Sequence, residues 1–325
     1  MKRQTTIKDV ARESGVSISV VSYILNRTEG KTISEKTKER VLAVAAALNY
    51  TPNQIASGLR TRKSMCIGVV SYQSIEGYAM GRVLTGINAV ADANGYRIVL
   101  CNPKSGSEEF SYLDYYRGNS IDGIIFISPH EETGLINEEA HINMMGETKA
   151  PFVIINGHTN VNDVIYVNFD FFGSTYLATR YFIEKGFRHI TYVTPDLTFY
   201  ELIQRMNGYT AAMSESGLSL DICFLRDMPA RIQAVKAVVT NKSDTAHQVI
   251  MEANRQELAI PDDFPLLAAN TQAYSEYLIP PLSTVQVPSR EIGEAAAKAL
   301  IDSINGRSIS VELKQPCVLQ LRQSC

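Results

Sequence analysis

The chain has 325 residues, a formal net charge of −3 and 45% hydrophobic residues, which allows two or three domains with apolar cores. No apolar run approaches the length of a membrane span, and the N-terminus MKRQTTIKDV lacks the hydrophobic segment of a signal peptide. We therefore expect a cytoplasmic protein without a membrane partner. The five cysteines are scattered without metal-ligand spacing, so we expect reduced thiols and no metal site.

Charge is distributed unevenly along the chain. Residues 1–63 carry 12 Lys and Arg against 5 Asp and Glu, whereas residues 64–325 carry 19 against 29. A basic N-terminal segment on an acidic body favours a polyanionic partner for that segment alone. A solvated basic surface without a partner is the other interpretation, and charge alone does not separate the two.

Two short apolar repeats near the N-terminus predict a pair of helices. Their apolar positions recur at helical spacing, as Ile7, Val10, Ala11 and then Val21, Ile24, Leu25. Gly15 lies where the chain must reverse, and Ser17 is placed to cap the second helix. If the apolar faces pack together, the second helix keeps short hydrogen-bonding side chains on its outer side, namely Ser19, Ser22, Tyr23 and Asn26. Such a face suits the DNA major groove, but a helical hairpin inside a larger bundle is equally open here.

A third helix is predicted within TISEKTKERVLAVAAALNY, where Thr32 and Glu35 have the form of a capping box and Ser34 is an alternative cap. It would end before Pro52 and close a three-helix domain over residues 1–51. The connector at 52–63 includes Gly58, which weakens an isolated helix, so we expect it to fold only when something orders it.

From Cys66 onward, apolar strands alternate with amphipathic helices. Helices are predicted around 81–94, 107–118, 132–146, 199–216 and 245–258. Near-continuous apolar strands separated by helices indicate parallel sheets covered on both faces. We expect two subdomains, roughly 64–160 and 161–290, with C-terminal segments closing the core and a ligand cleft at the carboxyl ends of the strands. Residues 226–235 are short for a crossover, which predicts either a one-turn helix or a departure from the repeat.

Several signatures of enzymes and cofactor sites are missing from the sequence. It contains no Walker loop, no GxGxxG fingerprint and no catalytic cluster of histidines. We therefore expect neither an enzyme nor a cofactor.

Four segments together resemble the LacI/GalR family of bacterial transcriptional regulators along essentially the whole chain. They are TIKDVARESGVSISVVSYILN, PNQIASGLRT, RMNGYTAAMSESGL and PPLSTVQVP. The resemblance implies an N-terminal helix-turn-helix domain with a hinge helix, followed by a two-subdomain core like that of periplasmic binding proteins. It also implies a homodimer on a near-palindromic DNA operator, controlled by a small-molecule effector.

The resemblance assigns the DNA contacts. The recognition helix runs from Ser17 to Asn26, with Ile18 and Ser19 reading base edges and Tyr23 standing where many members have arginine. Tyrosine offers one hydrogen bond and a ring for a thymine methyl group, so a different half-site is expected. The residues expected to contact DNA phosphates are Thr6, Ser22 and Asn26. In the hinge, the matching positions are Asn53, Ala56 and Leu59, with Leu59 as a minor-groove wedge; packing of Leu59 onto the core is the alternative.

The resemblance assigns effector contacts to only a few residues of this chain. Arg205 matches a ligand-binding arginine, with an exposed helix arginine as the alternative. Asp170 matches a cleft aspartate, although Phe171 replaces the usual neighbouring Asn. Asn270 stands in place of an aspartate, while Lys242 and Ser243 replace an Asn-Asp pair. Arg205 with Lys242 would make the cleft more positive, so we hypothesise a sugar or sugar derivative that is anionic; an exposed Lys242 is the other interpretation.

Three residues near the ends of early strands complete the candidate set. Tyr72, Tyr78 and Ser128 are placed where the cleft would open, and the tyrosines could stack on a sugar ring or simply be half-buried. The leading function is a DNA-binding regulator, most simply a repressor. A binding receptor without a DNA role is the alternative.

Overall fold

In the computed structural model, the chain divides into two compact units, Met1–Ser64 and Met65–Cys325. The structure describes residues 5–25, 32–50, 63–72, 77–101, 110–128, 137–157, 163–197, 200–307 and 312–325. Within these ranges, no helix combines the length and apolar character that a bilayer crossing requires.

The N-terminal unit is built from three helices over its described residues: α1 (Ile7–Ser14), α2 (Ile18–Leu25) and α3 (Glu35–Ala47). They share a small apolar core, whose buried members are Val10, Ala11, Val21, Ile24, Val41 and Ala45. Ser34 caps α3, since its side chain accepts a hydrogen bond from the Thr37 amide at 3.3 Å. The predicted three-helix domain is therefore confirmed, with Ser34 as the cap rather than Thr32.

The C-terminal unit alternates strands and helices. Its strands are β1 (Cys66–Ser71), β2 (Arg97–Leu100), β3 (Gly123–Ile127), β4 (Phe152–Ile155), β5 (Ile165–Phe169), β6 (Thr191–Thr194), β7 (Ile222–Phe224), β8 (Val238–Thr240), β9 (Leu266–Ala268), β10 (Ser283–Gln286), β11 (Glu312–Gln315) and β12 (Val318–Gln320). Its helices are α4 (Tyr78–Ala93), α5 (Leu113–Arg117), α6 (Glu138–Glu147), α7 (Phe171–Glu184), α8 (Tyr200–Glu215), α9 (Met228–Arg231), α10 (Ser243–Arg255) and α11 (Ser289–Ile304). The alternation predicted from the sequence is confirmed.

Over the described residues, the strands form two six-stranded sheets. The first has the order β11-β5-β4-β3-β1-β2, and all its neighbouring strands are parallel. The second has the order β12-β10-β9-β8-β6-β7 and is parallel except for β12, which runs antiparallel to β10. The carboxyl ends of the parallel strands in each sheet therefore point in one direction, which is where ligands of such sheets bind.

The chain passes between the two sheets three times. It leaves the first sheet after β5, returns to it with α11 after β10, and crosses once more between β11 and β12. The expected division near residue 160 needs correction, because β5 was assigned to the second subdomain and instead pairs with β4 in the first sheet. An apolar run predicts a strand, but it does not determine which sheet the strand joins.

Helices cover both faces of each sheet. In the first sheet, Ile67 and Val69 of β1 pack with α4 and α11, whereas Val70 packs with α5 and α6 on the opposite face. In the second sheet, α7 and α8 cover one face, and α9 and α10 cover the other. This burial on both faces explains why the strands read as continuous apolar runs rather than alternating ones.

The short crossover after β7 contains a single turn of α-helix. Residues 225–227 and 232–234 form 3-10 turns on either side of α9, which is four residues long. Of the two interpretations that the sequence allowed, the one-turn helix is therefore the one found. The buried side chains of Met228 and Ile232 still cover the sheet, so this small element performs the packing of a full crossover helix.

Candidate functional site

The turn between α1 and α2 is held by backbone and side-chain hydrogen bonds. Gly15 has φ 63°, a left-handed conformation that a residue with a Cβ adopts only with strain. The Val16 amide donates to the Ala11 carbonyl at 3.2 Å, which closes α1. The Val20 amide donates to the Ser17 hydroxyl at 3.3 Å, so Ser17 caps α2 as its position predicts.

The start of α2 presents an open face. Ser17, Ile18 and Ser19 are exposed, with 44% of the Ile18 surface accessible, and Tyr23 is half-buried. Ser22 was expected on the same outer side, but the structure corrects this because only 8% of it is accessible. At 100° per residue Ser22 lies about 60° from Leu25, at the border of the apolar face rather than opposite to it. Base contacts by Ile18, Ser19 and Tyr23 stay a prediction.

Thr6 forms the beginning of α1. Its backbone amide and its hydroxyl both donate to the Asp9 carboxylate, at 3.0 and 2.7 Å. An exposed Thr6 at a helix N-terminus suits an anion, although its hydroxyl is already hydrogen-bonded. The other predicted DNA contacts lie outside the described residues; these are Asn26, Asn53, Ala56 and Leu59, together with nearly all of the hinge at 52–63.

Arg205 is the centre of a buried polar network in the second sheet's half of the core. Only 2% of its surface is accessible. Its Nη1 donates to the Ser174 hydroxyl at 2.8 Å and to the Ala269 carbonyl at 2.7 Å, and its guanidinium lies 5.1 Å from the centroid of the Phe171 ring. The exposed arginine that the sequence left open as an alternative is therefore excluded.

Glu201 joins Arg205 to Lys242. Its Oε1 accepts a hydrogen bond from Arg205 Nε at 3.0 Å, and its Oε2 lies 3.1 Å from Lys242 Nζ. Glu201 is 3% accessible, and the Lys242 side chain is 24% accessible. Lys242 is therefore paired with a buried carboxylate, which weakens the hypothesis of an anionic effector.

Asp170 and Asn270 form hydrogen bonds at the N-termini of two helices that pack on the second sheet. Asp170 caps α7 by accepting from the Gly173 amide at 2.7 Å. The Asn270 side chain accepts from the Ser243 amide at 2.7 Å, and the Ser243 hydroxyl donates to the Asn270 carbonyl, so Asn270 orders the start of α10. Four of the predicted effector contacts therefore lie in one region of the structure: Asp170, Arg205, Lys242 and Asn270. Each of these side chains already forms a hydrogen bond or an ion pair within the protein.

Cys317 lies beside this network at the last crossover. Its thiol donates to the Asp170 carbonyl at 3.5 Å, and burial raises its pKa to about 12. A thiol with so high a pKa is protonated at neutral pH and is a poor nucleophile. Over the described residues, His, Cys, Asp and Glu form no group that could hold a metal ion.

The remaining predicted effector contacts lie at the first sheet. Ser128 is buried at the end of β3, where its hydroxyl donates to the buried Glu138 carboxylate. The Tyr72 ring packs 5.3 Å from the ring of His141, which follows Glu138 by about one turn of α6. Tyr78 begins α4 and is 38% accessible, with Arg82 against its ring. Tyr72 and Ser128 are therefore grouped around α6, and Tyr78 lies on the surface.

The position of Arg205 depends on a close crossing of α7 and α8. Gly208 is one turn beyond Arg205, and a Cβ on it would lie 2.2 Å from the Phe172 carbonyl oxygen. Only glycine permits this approach, which brings Arg205 within reach of Ser174 on the neighbouring helix. The residue that sequence reasoning missed is Glu201, although its i, i+4 spacing to Arg205 on a predicted helix was a usable signal for an ion pair.

Comparison with known proteins identifies a domain in each of the two units. Residues 6–53 match the family described as bacterial regulatory proteins, lacI family, and residues 179–325 match the periplasmic binding protein-like domain. The chain is 27% identical to catabolite control protein A of Priestia megaterium, with 98% of each chain covered. It is also 27% identical to the HTH-type transcriptional repressor PurR of Vibrio atlanticus (strain LGP32), with 93% and 92% covered.

Solved structures with the same fold include two regulators. The lac repressor dimer bound to operator and the anti-inducer ONPF gives a TM-score of 0.79 at 19% identity, with 99% of both chains covered. A complex of the transcriptional regulator CelR with cellobiose gives a TM-score of 0.70 at 22% identity, covering 99% of this chain and 100% of that one. A helix-turn-helix unit of the matched type and a two-sheet core thus occur on one chain, which argues against a receptor without a DNA role. The chain therefore carries a domain of the lacI family of bacterial regulatory proteins together with a periplasmic binding protein-like domain, and it is similar over nearly its whole length to transcriptional regulators rather than to enzymes.

Proposed function

We propose that the protein is a homodimeric repressor that acts in the cytoplasm on a near-palindromic operator. A small molecule, of the sugar class, binds at the carboxyl ends of the core strands and controls the affinity for DNA. The observation that carries the DNA-binding role is the open face of α2, where the capped helix start leaves Ser17, Ile18 and Ser19 exposed. A helix start of this kind can enter a major groove and reach base edges.

Support for a dimer comes from symmetry and from a relative. One helix-turn-helix unit covers only a half-site, whereas two related by a two-fold axis read an inverted repeat. The lac repressor structure with which this chain shares its fold is described as a dimer bound to operator. An inverted repeat with two half-sites about one helical turn apart is therefore the expected operator.

Support for a small-molecule effector comes from the buried network around Arg205. The network contacts the residues that follow β8 and β9, at the carboxyl ends of parallel strands, where ligands of such sheets bind. The structure of CelR is described as a complex with cellobiose, so a core of this fold takes a sugar in at least one relative. Effector binding is allosteric only if the ligand has different affinities for the operator-bound and the released states.

The operator can be identified by selecting duplexes from a random library on the full chain. The selected duplexes, measured by fluorescence anisotropy, should share an inverted repeat. Ser19→Ala is expected to weaken binding to that repeat by about tenfold, because a base-edge hydrogen bond is lost. The matched control is Ser120→Ala, because Ser120 is an exposed serine of the C-terminal unit. This variant should bind the repeat with the same affinity as the wild type. Selected duplexes without a shared repeat, or equal binding by both variants, would contradict the proposal.

The effector is identified by the same measurement. A library of sugars and sugar derivatives is added to the preformed complex, and a true effector shifts the anisotropy curve. Gln substitution at Arg205 should abolish that shift while leaving operator binding in place, because Arg205 lies in the core rather than in the N-terminal unit. An effector that acts equally on the wild type and on Arg205→Gln would place the ligand elsewhere.

A further inference from the structure

We infer that Asp122 is a positioning residue for DNA binding, which holds Met65 in a left-handed backbone conformation and so fixes the direction in which the chain leaves the C-terminal unit towards the N-terminal one. The inference rests on the proposed function, because its consequence is measured as operator affinity. It concerns the amino ends of the strands in the first sheet, whereas ligands of such sheets bind at the carboxyl ends.

Met65 has an unusual backbone conformation. It is the first residue of the C-terminal unit, it directly precedes β1, and its φ angle is 55°. Among the described residues other than glycine, seven have a positive φ angle, and Met65 is the one with an apolar side chain. The left-handed region brings Cβ close to the following carbonyl oxygen, which disfavours it by about five- to thirtyfold. Contacts within the protein must therefore hold Met65 in this conformation.

Asp122 supplies the contact to the Met65 amide. The Met65 nitrogen donates to the Asp122 carboxylate, with 2.9 Å between the nitrogen and Oδ2. The Asp122 amide in turn donates to the Cys66 carbonyl at 2.8 Å, so one residue binds two successive residues at the start of β1. A hydrogen bond to a carboxylate is roughly twice as strong as one between neutral groups. Asp122 directly precedes β3, and the neighbouring strand thus fixes the orientation of the Met65 amide.

The carbonyl and the side chain of Met65 are held by other residues. The Arg97 amide donates to the Met65 carbonyl at 2.9 Å, which extends the pairing of β1 with β2. The Met65 side chain packs against the apolar core of the first sheet. Both contacts lie on the side of Met65 that continues into β1. The Asp122 carboxylate acts on the other side, at the amide through which the chain enters from the N-terminal unit.

The φ angle of Met65 has a large effect because of its place in the chain. Every residue before Met65 belongs to the N-terminal unit, so rotation about the bond between the Met65 nitrogen and Cα changes the direction of the whole preceding chain. A change from 55° to the usual helical value is a rotation of about 120°. A dimer that reads two half-sites at a fixed spacing needs both chains to leave their cores in a matching direction. Release of Met65 is therefore expected to weaken operator binding.

Exchange of the Met65 amide proton tests the hydrogen bond without DNA. The full chain is labelled with isotopically enriched methionine, and the exchange rate is compared for the wild type, Asp122→Ala and Asp122→Asn. We expect at least about fivefold faster exchange in Asp122→Ala, because the amide loses its acceptor. Asp122→Asn should exchange at nearly the wild-type rate, because its side-chain oxygen still accepts. Asp92→Ala, at an exposed aspartate of α4, is the matched control. Unchanged exchange in Asp122→Ala would overturn the inference.

Operator affinity tests the consequence for DNA binding. The variants are titrated by fluorescence anisotropy against the duplex selected on the wild type, well below their melting temperatures. Asp122→Ala should bind at least about fivefold more weakly, since the left-handed conformation of Met65 is then disfavoured. Adding Met65→Gly to Asp122→Ala should restore the affinity to within about twofold, because glycine adopts positive and negative φ angles about equally. A purely structural role of Asp122 would not be relieved by this second substitution.

Two results of the titration would overturn the inference: equal affinity of the wild type and Asp122→Ala, or a loss that Met65→Gly does not restore. If Asp122→Ala does not fold, Met65→Ile decides, because a β-branched residue is strongly disfavoured at positive φ. Weaker operator binding by Met65→Ile would support the inference, and unchanged binding would overturn it. Failure of the proposed function is distinguishable, since the wild type itself would then select no shared repeat, whereas amide exchange would still report on the contact between Asp122 and Met65.

Discussion

Replacing Gly208 with alanine is expected to force α8 away from α7. The added Cβ would lie 2.2 Å from the Phe172 carbonyl oxygen and 3.0 Å from the Tyr176 amide nitrogen. Because both obstacles are backbone atoms, no side-chain rotation relieves the overlap, and the helices must separate by about 1 Å to restore ordinary contact distances. Overpacking of this kind costs about 1–3 kcal/mol, whereas the helix propensity of alanine returns about 1 kcal/mol. We expect a net loss of up to about 2 kcal/mol.

Gly81→Ala is the matched control for this substitution. Gly81 also lies within a helix, α4, but a Cβ there would meet nothing within 4 Å. Alanine at this position should stabilise the protein by up to about 1 kcal/mol. Differential scanning calorimetry of the full chain is the appropriate assay, because the sequence contains no tryptophan to report unfolding.

The two variants are expected to differ in stability by up to about 3 kcal/mol, which at about 2–4 °C per kcal/mol for a unit of this size is a difference in Tm of up to about 6–12 °C. The same displacement should disturb Arg205, whose hydrogen bonds to Ser174 and Ala269 measure 2.8 and 2.7 Å. Gly208→Ala should therefore also weaken the response to an effector. A melting temperature for Gly208→Ala at or above that of Gly81→Ala would refute the packing argument.

Three further predictions concern other parts of the chain. Gly15→Ala should lower hydrogen-exchange protection in α1 and α2 by about fivefold, because φ 63° costs alanine about 1 kcal/mol; unchanged protection would contradict this. Burial raises the pKa of Tyr209 to about 12 from its usual 10, so its contribution to stability is complete below pH 10 and is lost as the pH rises towards 12. Denaturation of Tyr209→Phe should thus show a deficit at pH 8 that narrows between pH 10 and 12, and a constant deficit would count against it. Burial raises the pKa of Cys101 to about 11, so at pH 8 a disulfide reagent should modify Cys101 only after unfolding, as judged against Cys101→Ser.

Local patterns in the sequence predicted the elements well, because each element is specified by its own residues. The apolar spacing of α1 and α2, the reversal at Gly15 and the cap at Ser17 all depend on contacts within about twelve residues. Most of the apolar strands were recognisable for the same reason, whereas β5, β10, β11 and β12 were not predicted. Ser22 marks the limit of this reasoning, since a residue near the border of an apolar face can lie on either side of it.

Assignments that depend on distant residues could not be made in this way. The strand β5 has the same apolar character as strands of either sheet, and only its pairing with β4 assigns it. Lys242 is separated from Glu201 by 41 positions, so no local pattern predicts that the two charges meet. The sequence therefore suggested a positive site, whereas the tertiary structure places a buried carboxylate between the two cations.

The three passages of the chain between the sheets have a consequence for truncated products. A chain that stopped near residue 307 would lack β11 at the edge of one sheet and β12 at the edge of the other. It would also lack Ser324, which accepts a hydrogen bond from the Ser283 amide and donates one to the Leu266 carbonyl. Newly opened strand edges are templates for pairing with other chains. A stop codon near residue 307 is thus expected to yield a product that aggregates or is degraded, rather than a shorter regulator that still folds.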